Sequence, residues 1–223
     1  MLSIHTLATT IARHILSCTH RPGATPDEGE KERAEIVAYG LEVVLGAIVE
    51  VLAITGGAAV LGLLPEVTVA LLTQALYRFG SGGAHCRAYY RCLVSSVIFL
   101  LLVGYAGRRL EQFLWGGFPL GVFSLLAAIS GVLAVRRWAP ADTPANPIQD
   151  LHRRRRLRNF SLAFLLVWFF FILAAAGKIR LSCLYASVLA VIMQTVTITP
   201  LGYRLMDRLD EVLCRLIPLE GRR

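Results

Sequence analysis

The stretch RFGSGGAHCRAYYRC, residues 78–92, separates two strongly apolar segments of the chain. It contains three Arg, three Gly, one His and two Cys within fifteen residues. The flanking segments, VTVALLTQALY at 67–77 and LVSSVIFLLLVGYAG at 93–107, are rich in Leu, Val, Ala and Ile. Glycine permits backbone conformations that other residues avoid. The stretch therefore predicts a break between two apolar helices, with cationic, imidazole and thiol side chains concentrated at that break.

The composition is that of a membrane protein. Of the 223 residues, 56% are hydrophobic and only 17% are charged, whereas soluble domains are about a quarter charged. The mean hydropathy is +0.60. The net charge of +8 fits cytoplasmic loops that face the anionic inner leaflet. Because the apolar segments leave no soluble basic domain, we do not expect nucleic-acid binding.

The apolar residues fall into six hydrophobic segments. One membrane crossing by a helix takes about 20 residues. The segments are 36–63, 67–77, 93–107, 115–135, 160–177 and 181–198, of which 67–77 is short or re-entrant. At both ends of the chain, apolar residues recur at helical spacing, which predicts amphipathic surface helices at 1–20 and 199–223. We therefore expect an all-α polytopic membrane protein in which residues 1–223 form one domain with a transmembrane core at 36–198.

The distribution of Arg predicts the orientation of these segments. The loop 136–158 contains seven Arg, and an excess of cations marks cytoplasmic loops. Counting crossings from that loop puts residues 78–92 and both chain termini in the cytoplasm of a multi-pass protein of the cell membrane. The short connections at Arg108–Glu111 and Lys178–Arg180 are then expected on the outer side.

Arg78, His85 and Cys92 are spaced by seven residues, so they would share one face of a helix with 3.6 residues per turn. A Cys and a His that meet at a membrane boundary are the parts of a nucleophile and its base, and the nearby Arg78, Arg87 and Arg91 favour a thiolate. The alternative is structural, with the Cys as a small core residue and the His at the membrane interface.

One straight helix would keep the two side chains apart, because seven residues of rise separate the Cα atoms by roughly 10.5 Å. A Cys–His hydrogen bond needs about 3 Å. We therefore expect a helix break at Ser81–Gly83, with His85 at or before the first turn of the next helix and Cys92 within it. The imidazole and the thiol should approach within about 4–5 Å. A dyad formed across a dimer is the rival arrangement.

Three further polar residues are candidates for supporting roles. Glu42 and Glu50 interrupt the segment 36–63 and could orient His85, or they could be buried carboxylates paired with Arg. Ser81 could donate a hydrogen bond to an oxyanion or to His85, but Ser is also a common turn residue. No residues have metal-ligand or phosphate-loop spacing, so we expect no metal and no cofactor.

The motif R-x6-H-x6-C, with a Gly two positions before the His, resembles the accessory gene regulator B (AgrB) family, membrane cysteine endopeptidases of Gram-positive quorum sensing. Arg78, Gly83, His85 and Cys92 match that motif position by position. A second likeness is RRWAPADTPANPI followed by HRRRRLRNFS, which is similar to the family's cytoplasmic loop. The cationic cluster consists of Arg here rather than Lys, which preserves its charge.

The resemblance implies a reaction and its partners. Cys92 would attack the scissile carbonyl of a precursor peptide that has an amphipathic N-terminal helix and an acidic tail, while His85 would carry the proton. The acyl-enzyme thioester would then be released as a thiolactone by the peptide's own Cys. The acidic tail would be held by four consecutive cations, Arg153, Arg154, Arg155 and Arg156. The resemblance also implies a homodimer and contact with anionic membrane lipids.

Two other functional classes stay open on the sequence. A small transporter or channel also uses glycine-broken helices and intramembrane carboxylates, and a non-catalytic membrane scaffold needs neither nucleophile nor base. The reactivity of the thiol separates these classes. Fast alkylation of Cys92 that depends on His85 would indicate the peptidase, whereas slow and equal alkylation of all Cys would indicate a transporter or a scaffold.

Overall fold

The structure, a computed structural model, describes residues 4–19, 28–114, 117–141 and 150–216. Within these ranges the chain forms eight α-helices and, apart from isolated bridges, no β-structure. The helices are α1 (Ile4–Thr19), α2 (Glu28–Val60), α3 (Leu64–Ser81), α4 (Tyr89–Phe113), α5 (Gly117–Trp138), α6 (Leu151–Ala175), α7 (Leu181–Thr197) and α8 (Pro200–Leu216). The predicted all-α membrane fold is confirmed.

The chain consists of two compact units, Met1–Ala53 and Ile54–Arg223, and each is described by itself. The first contains α1 and most of α2. Leu7 and Ile15 of α1 are exposed, as expected for a helix whose apolar face lies against lipid. The assignment of α1 to the membrane surface stays a prediction.

Helix α7 forms the centre of the second unit and packs against α3, α4, α5 and α8. Its buried residues are Ser182, Cys183, Leu184, Tyr185, Ala186, Ser187, Val188, Ala190, Val191, Gln194 and Thr195. Many of them are small, and small residues let membrane helices approach closely. At Gly107 of α4, an added Cβ would come within 2.7 Å of the Ser182 carbonyl oxygen and 2.8 Å of the Ala186 nitrogen. Helices α4 and α7 are therefore in backbone contact.

Hydrogen bonds between side chains connect the core helices. Ser187 of α7 accepts a hydrogen bond from Trp168 Nε1 of α6 at 2.9 Å, and its hydroxyl lies 2.8 Å from that of Thr73 in α3. The Tyr77 hydroxyl of α3 lies 3.3 Å from the Thr195 hydroxyl of α7. Because a buried polar group is costly without a partner, these pairs fix the register of α3, α6 and α7.

Four of the described helices are long and apolar enough to cross a membrane, over Arg33–Val60, Tyr89–Phe113, Phe118–Trp138 and Leu151–Ala175. Helices α7 and α8, which meet at a bend of 90°, would make a fifth span if counted together. The remaining predicted segment, 67–77, is part of the longer helix α3. This helix is not among those that are long and apolar enough to cross a membrane. Its 18 residues nevertheless rise about 27 Å, close to the ~30 Å of a hydrocarbon core.

The connection predicted at Arg108–Glu111 is wrong, because α4 continues to Phe113 and includes these residues. Arg108 pairs with Glu66 at 2.9 Å, and the Glu66 side chain is fully buried. A buried carboxylate needs such a partner. The ion pair therefore belongs to the packing of α3 against α4 and is not part of an outer loop.

The basic loop predicted at 136–158 is also shorter than expected. Arg136 and Arg137 form the last turn of α5, and the later Arg run begins α6 after the N-cap residue Asp150. Arg is a good helix former, which explains why both helices extend beyond their apolar segments. Residues 142–149 of this loop lie outside the described part of the chain.

Candidate active site

The predicted helix break lies at Ser81–Gly83 and is confirmed. Helix α3 ends at Ser81, and the φ angles of Gly82 and Gly83 are 67° and 144°. Side chains with a Cβ are strained at such angles. At Gly83, an added Cβ would also come within 2.8 Å of the Thr197 hydroxyl and 3.3 Å of Gln194 Nε2. The glycines therefore serve both the turn and the close packing around it.

Backbone hydrogen bonds hold the segment after the break on two sides. The Gly83 N–H donates to the Ala141 carbonyl at 3.1 Å, and the Ala141 N–H donates to the Ser81 carbonyl at 2.8 Å. The Ala84 N–H donates to the Thr197 carbonyl at 3.0 Å. These bonds satisfy the backbone of the turn and fasten the connection between α3 and α4 to the ends of α5 and α7.

His85 and Cys92 meet within one chain. Cys92 lies in the first turn of α4, where its N–H donates to the Ala88 carbonyl at 3.1 Å. His85 precedes this helix, and its Nδ1 lies 3.8 Å from the Cys92 Sγ. This distance is near the upper limit for a hydrogen bond to sulfur, and catalytic hydrogen bonds are often long before substrate binds. The position of His85 before α4 and the approach to within about 4–5 Å agree with the sequence prediction.

Arg78 connects the last turn of α3 to the imidazole. Its Nη2 donates to the Ala84 carbonyl at 2.8 Å and lies 3.1 Å from Nδ1 and 3.0 Å from Nε2 of His85. A single nitrogen can be this close to both ring nitrogens only above the ring face, because an in-plane position would collide with Cε1. The guanidinium therefore covers the face of the ring, and the edge of the ring at Nδ1 is directed at Cys92.

The surroundings of His85 keep its imidazole neutral. Although part of the side chain is exposed, desolvation of the ring and the positive charge of Arg78 lower the pKa of His85 from 6.5 to about 4. A neutral imidazole accepts a proton at one nitrogen when its own proton is on the other. The tautomer that can accept the Cys92 proton at Nδ1 therefore carries its hydrogen at Nε2. This is the protonation state that a general base needs.

Asp210 of α8 binds Arg91, one of the Arg residues that were expected to favour a thiolate at Cys92. Its carboxylate accepts hydrogen bonds from Arg91 at 2.7 and 3.2 Å and from the Arg87 N–H at 3.2 Å. Asp210 is only 5% exposed, although it lies in the segment 199–223 that was predicted to be an amphipathic surface helix. The charge of Arg91 is thus paired with Asp210, and its expected effect on the thiol stays a prediction. The ion pair fastens α8 to the beginning of α4.

The other predicted supporting residues have different surroundings. Ser81 is fully buried, and its hydroxyl accepts a hydrogen bond from Gln194 Nε2 at 3.0 Å, which assigns it to the turn. Glu42 and Glu50 are half-buried on α2, within the first unit. Their role in orienting His85 stays a prediction, and the contact that the structure describes on the ring comes from Arg78.

Sequence reasoning does not single out Gln194 or Asp210. Gln194 contacts Ser81 from 113 residues away, and Asp210 contacts Arg91 from 119 residues away, so helical periodicity cannot reveal either pair. One signal was available for Gln194, because it is the one amide in the apolar segment 181–198. A polar side chain in such a segment needs a partner and is often functional.

The four Arg of the predicted tail site, Arg153 to Arg156, lie exposed in the first two turns of α6. One residue further along α6, the Leu157 carbonyl oxygen lies 2.9 Å from the position of a Cβ added at Gly80. The Arg run therefore ends beside the last turn of α3, at the same end of the second unit as the dyad. The 25 residues of α6 rise about 37 Å, which is more than the ~30 Å of a bilayer core.

Comparisons with known proteins agree with the motif. The family model described as accessory gene regulator B (AgrB) matches residues 8–198. An AgrB-like protein of Clostridium perfringens (strain SM101 / Type A) is 23% identical over 196 residues, which are 84% of this chain and 91% of that protein. An AgrB-like protein of Halalkalibacterium halodurans is 24% identical over 205 residues, 92% of this chain and 95% of that protein.

An AgrB-like protein of Listeria monocytogenes serovar 1/2a is 26% identical over 173 residues, 77% of this chain and 79% of that protein. No solved structure matches the chain. Since the family model spans residues 8–198 of 223, the chain belongs to the accessory gene regulator B family, whose role lies in quorum-sensing accessory gene regulation.

Proposed function

We propose that the chain is a membrane cysteine endopeptidase that removes the C-terminal tail of a quorum-sensing precursor peptide and cyclises the remainder. The family is known for processing autoinducer peptides, which supports the substrate class. The observation that carries the proposal is the 3.8 Å contact between Cys92 Sγ and Nδ1 of His85, whose low pKa of about 4 keeps the ring neutral. A thiol and a neutral imidazole in this arrangement are suited to nucleophilic attack on a carbonyl.

In the first step, Cys92 attacks the scissile carbonyl while His85 takes the thiol proton at Nδ1. The new C–S bond forms, and the tetrahedral intermediate then collapses with cleavage of the peptide C–N bond. His85 gives its proton to the leaving amine, so the tail departs with a free amino group. A base whose pKa is about 4 returns its proton readily, which favours expulsion of the amine.

In the second step, a Cys thiol of the bound peptide attacks the acyl-enzyme thioester. One C–S bond forms while the bond to Cys92 breaks, and the proton passes through His85 from the peptide thiol to the Cys92 sulfur. The product is a thiolactone. Because one thioester replaces another, the exchange needs little driving force, and excluding water protects it from hydrolysis.

We infer that the dyad, both chain termini and Arg153–Arg156 face the cytoplasm of a multi-pass protein of the cell membrane. The seven Arg in 136–158 support this orientation. The precursor peptide, adsorbed through an amphipathic helix on the same leaflet, would then meet the enzyme beside anionic lipids. A homodimer is part of the same proposal, although the dyad itself is formed within one chain.

A transporter, a channel or a scaffold is the alternative function. None of these requires a thiol held against a neutral imidazole, whereas acyl transfer by a Cys nucleophile with a His base uses both. Alkylation with iodoacetamide separates the classes. In the peptidase, Cys92 reacts faster than Cys86, whose thiol pKa is raised by burial, and His85→Ala slows the reaction at Cys92.

The proposal is tested by co-expressing the protein with the small open reading frame that neighbours its gene and by analysing the peptides by mass spectrometry. We expect a released acidic tail and an N-terminal product that is lighter by one water than the linear acid. The linear acid alone would support cleavage without cyclisation. Intact precursor after incubation with the purified protein in anionic vesicles would overturn the proposal.

Replacing Arg153–Arg156 together with Gln should raise the KM for the precursor and leave kcat within about twofold. The four cations attract an acidic tail over about a Debye length, roughly 8 Å at physiological salt. The difference from wild type should therefore be largest at low salt and should shrink as salt is added. The measurement is cleavage kinetics over a range of salt concentrations. An unchanged KM at low salt, or topology mapping that puts the run outside the cell, would contradict this assignment.

Arg78→Gln should shift the acidic limb of kcat/KM to higher pH. The charge of Arg78 is the second cause, after desolvation, of the low pKa of His85, so removing it raises that pKa from about 4 part of the way to 6.5. Protonated His85 cannot accept the thiol proton. The variant should therefore lose activity at about pH 5 relative to pH 7, whereas wild type should not. Identical acidic limbs in pH profiles of both proteins would contradict this prediction.

A further inference from the structure

Gln194 is a buried amide at the centre of the break between α3 and α4. The side chain is 0% exposed, and its Nε2 donates to the Gly82 carbonyl at 2.7 Å and to the Ser81 hydroxyl at 3.0 Å. Its Oε1 lies 3.4 Å from Arg78 Nη1 and accepts a hydrogen bond from it. An amide group offers two N–H donors and one carbonyl oxygen, and all three contact residues of this one turn.

The contacts of Gln194 connect it to the dyad in two ways. Through Oε1, Gln194 anchors the guanidinium whose other nitrogen covers the His85 ring. Through Nε2, it anchors Gly82, where the chain leaves α3 and turns toward His85. One side chain of α7 therefore holds both the cation above the imidazole and the turn that carries the imidazole.

Packing alone does not account for an amide at this position. Helix α7 is surrounded by other helices, and an apolar side chain would fill the same volume without any polar group to satisfy. The close approach at Gly83, where an added Cβ would lie 3.3 Å from Gln194 Nε2 and 3.5 Å from Arg78 Nη1, shows that the turn is built tightly around this amide. Such an arrangement is suited to orienting a reacting group, here the His85 imidazole, through the residues around it.

We propose that Gln194 is a positioning residue of the dyad, which holds Arg78 over the face of His85 and holds the turn that directs Nδ1 at the Cys92 sulfur. Its effect on catalysis rests on the proposed peptidase function. Its effect on the imidazole does not, because the state of His85 is measured without a substrate.

The test compares Gln194→Met, which keeps the length of the side chain and removes its hydrogen bonds, with Thr195→Val as a matched control. Thr195 is the next residue of α7 and is also buried. Its replacement by Val removes the contact with the Tyr77 hydroxyl and no contact with the turn. The purified full-length protein is treated with diethyl pyrocarbonate, which modifies neutral imidazole. Modification is followed over about pH 4–8 by mass spectrometry of the proteolytic fragment 79–87, which contains His85.

In wild type, the midpoint of modification should lie near the His85 pKa of about 4. In Gln194→Met, where Arg78 is no longer held over the ring, the midpoint should rise by about one pH unit. The midpoint in Thr195→Val should stay at the wild-type value. In the cleavage assay, Gln194→Met should lower kcat by about 10²-fold and leave KM nearly unchanged, as expected for a misaligned dyad.

A wild-type midpoint and a kcat within about twofold of wild type in Gln194→Met would overturn the proposal. Equal shifts in Gln194→Met and Thr195→Val would overturn it too, since they would indicate a general loosening of α7. If Gln194→Met does not accumulate, Ser81→Ala removes one of the two acceptors of Gln194 and should give a smaller shift in the same direction. If wild type cleaves no precursor, the proposed function fails while the modification midpoints still decide the role of Gln194.

Discussion

Cys92→Ser and His85→Ala will each abolish processing of the precursor peptide, while the protein still accumulates in the membrane. A serine hydroxyl is far less acidic than a thiol, and a base whose pKa is about 4 cannot activate it effectively. Without His85, the thiol loses the acceptor that lies 3.8 Å from its sulfur. The loss of a nucleophile or of its base costs about 10⁶-fold in a serine protease with an analogous nucleophile and base, so we expect no product by mass spectrometry.

The matched control for the thiol is Cys214→Ser, because Cys214 is exposed on α8. It should cleave at the wild-type rate. The double variant of Cys92→Ser and His85→Ala should be no worse than either single variant, since residues that act as one unit are not additive. Complete cleavage of the precursor by either purified single variant would exclude the dyad.

The break at the dyad could be predicted because its cause is local. The spacing of His85 and Cys92 rules out a hydrogen bond along one straight helix, and the glycines at Gly82 and Gly83 mark where the chain can turn. Both glycines have positive φ angles in the structure. The sequence therefore indicated where the backbone permits the two side chains to approach each other, while a dyad formed across a dimer stayed the alternative.

The partners of the site's polar residues could not be predicted, because they come from distant parts of the chain. Nothing in residues 78–92 indicates that Arg91 is paired with Asp210 or that Arg78 contacts Gln194. Helical periodicity gives the face on which a side chain lies but not the helix that it meets. A count of nearby Arg in the sequence therefore does not tell which of their charges are already paired.

The ends of several helices were missed for a related reason. The predicted boundaries of α4 and α6 followed the change from apolar to charged residues, and helices do not end there. Arg has a high helix propensity, so a cationic run continues a helix beyond the apolar core of a membrane. The same physics puts the Arg run of α6 on a regular helix and not in a loop.

Gly82→Ala should nearly abolish cleavage and should lower stability much less. Alanine at the Gly82 angles of φ 67° and ψ −150°, which only glycine normally adopts, costs about 1–3 kcal/mol. The added Cβ would also collide with the carbonyl oxygen of Ala141, and a backbone atom cannot move aside as a flexible side chain can. The turn must therefore open and separate Ser81 from Ala141. Because a displacement of about 1 Å can cost 10²-fold in rate, we expect at least that loss.

The matched control is Gly56→Ala, because an added Cβ at Gly56 in α2 has no atom within 4 Å. This substitution should leave the cleavage rate unchanged and should stabilise the helix by up to about 1 kcal/mol. Cleavage kinetics and thermal unfolding of both purified variants distinguish the two effects. Since the contacts of Ser187 with Thr73 and Trp168 lie about two helical turns away from the Ser81–Gly83 turn, Gly82→Ala should still unfold cooperatively. A Gly82→Ala protein that cleaves at the wild-type rate would mean that the turn at Ser81–Gly83 does not set the separation of His85 and Cys92.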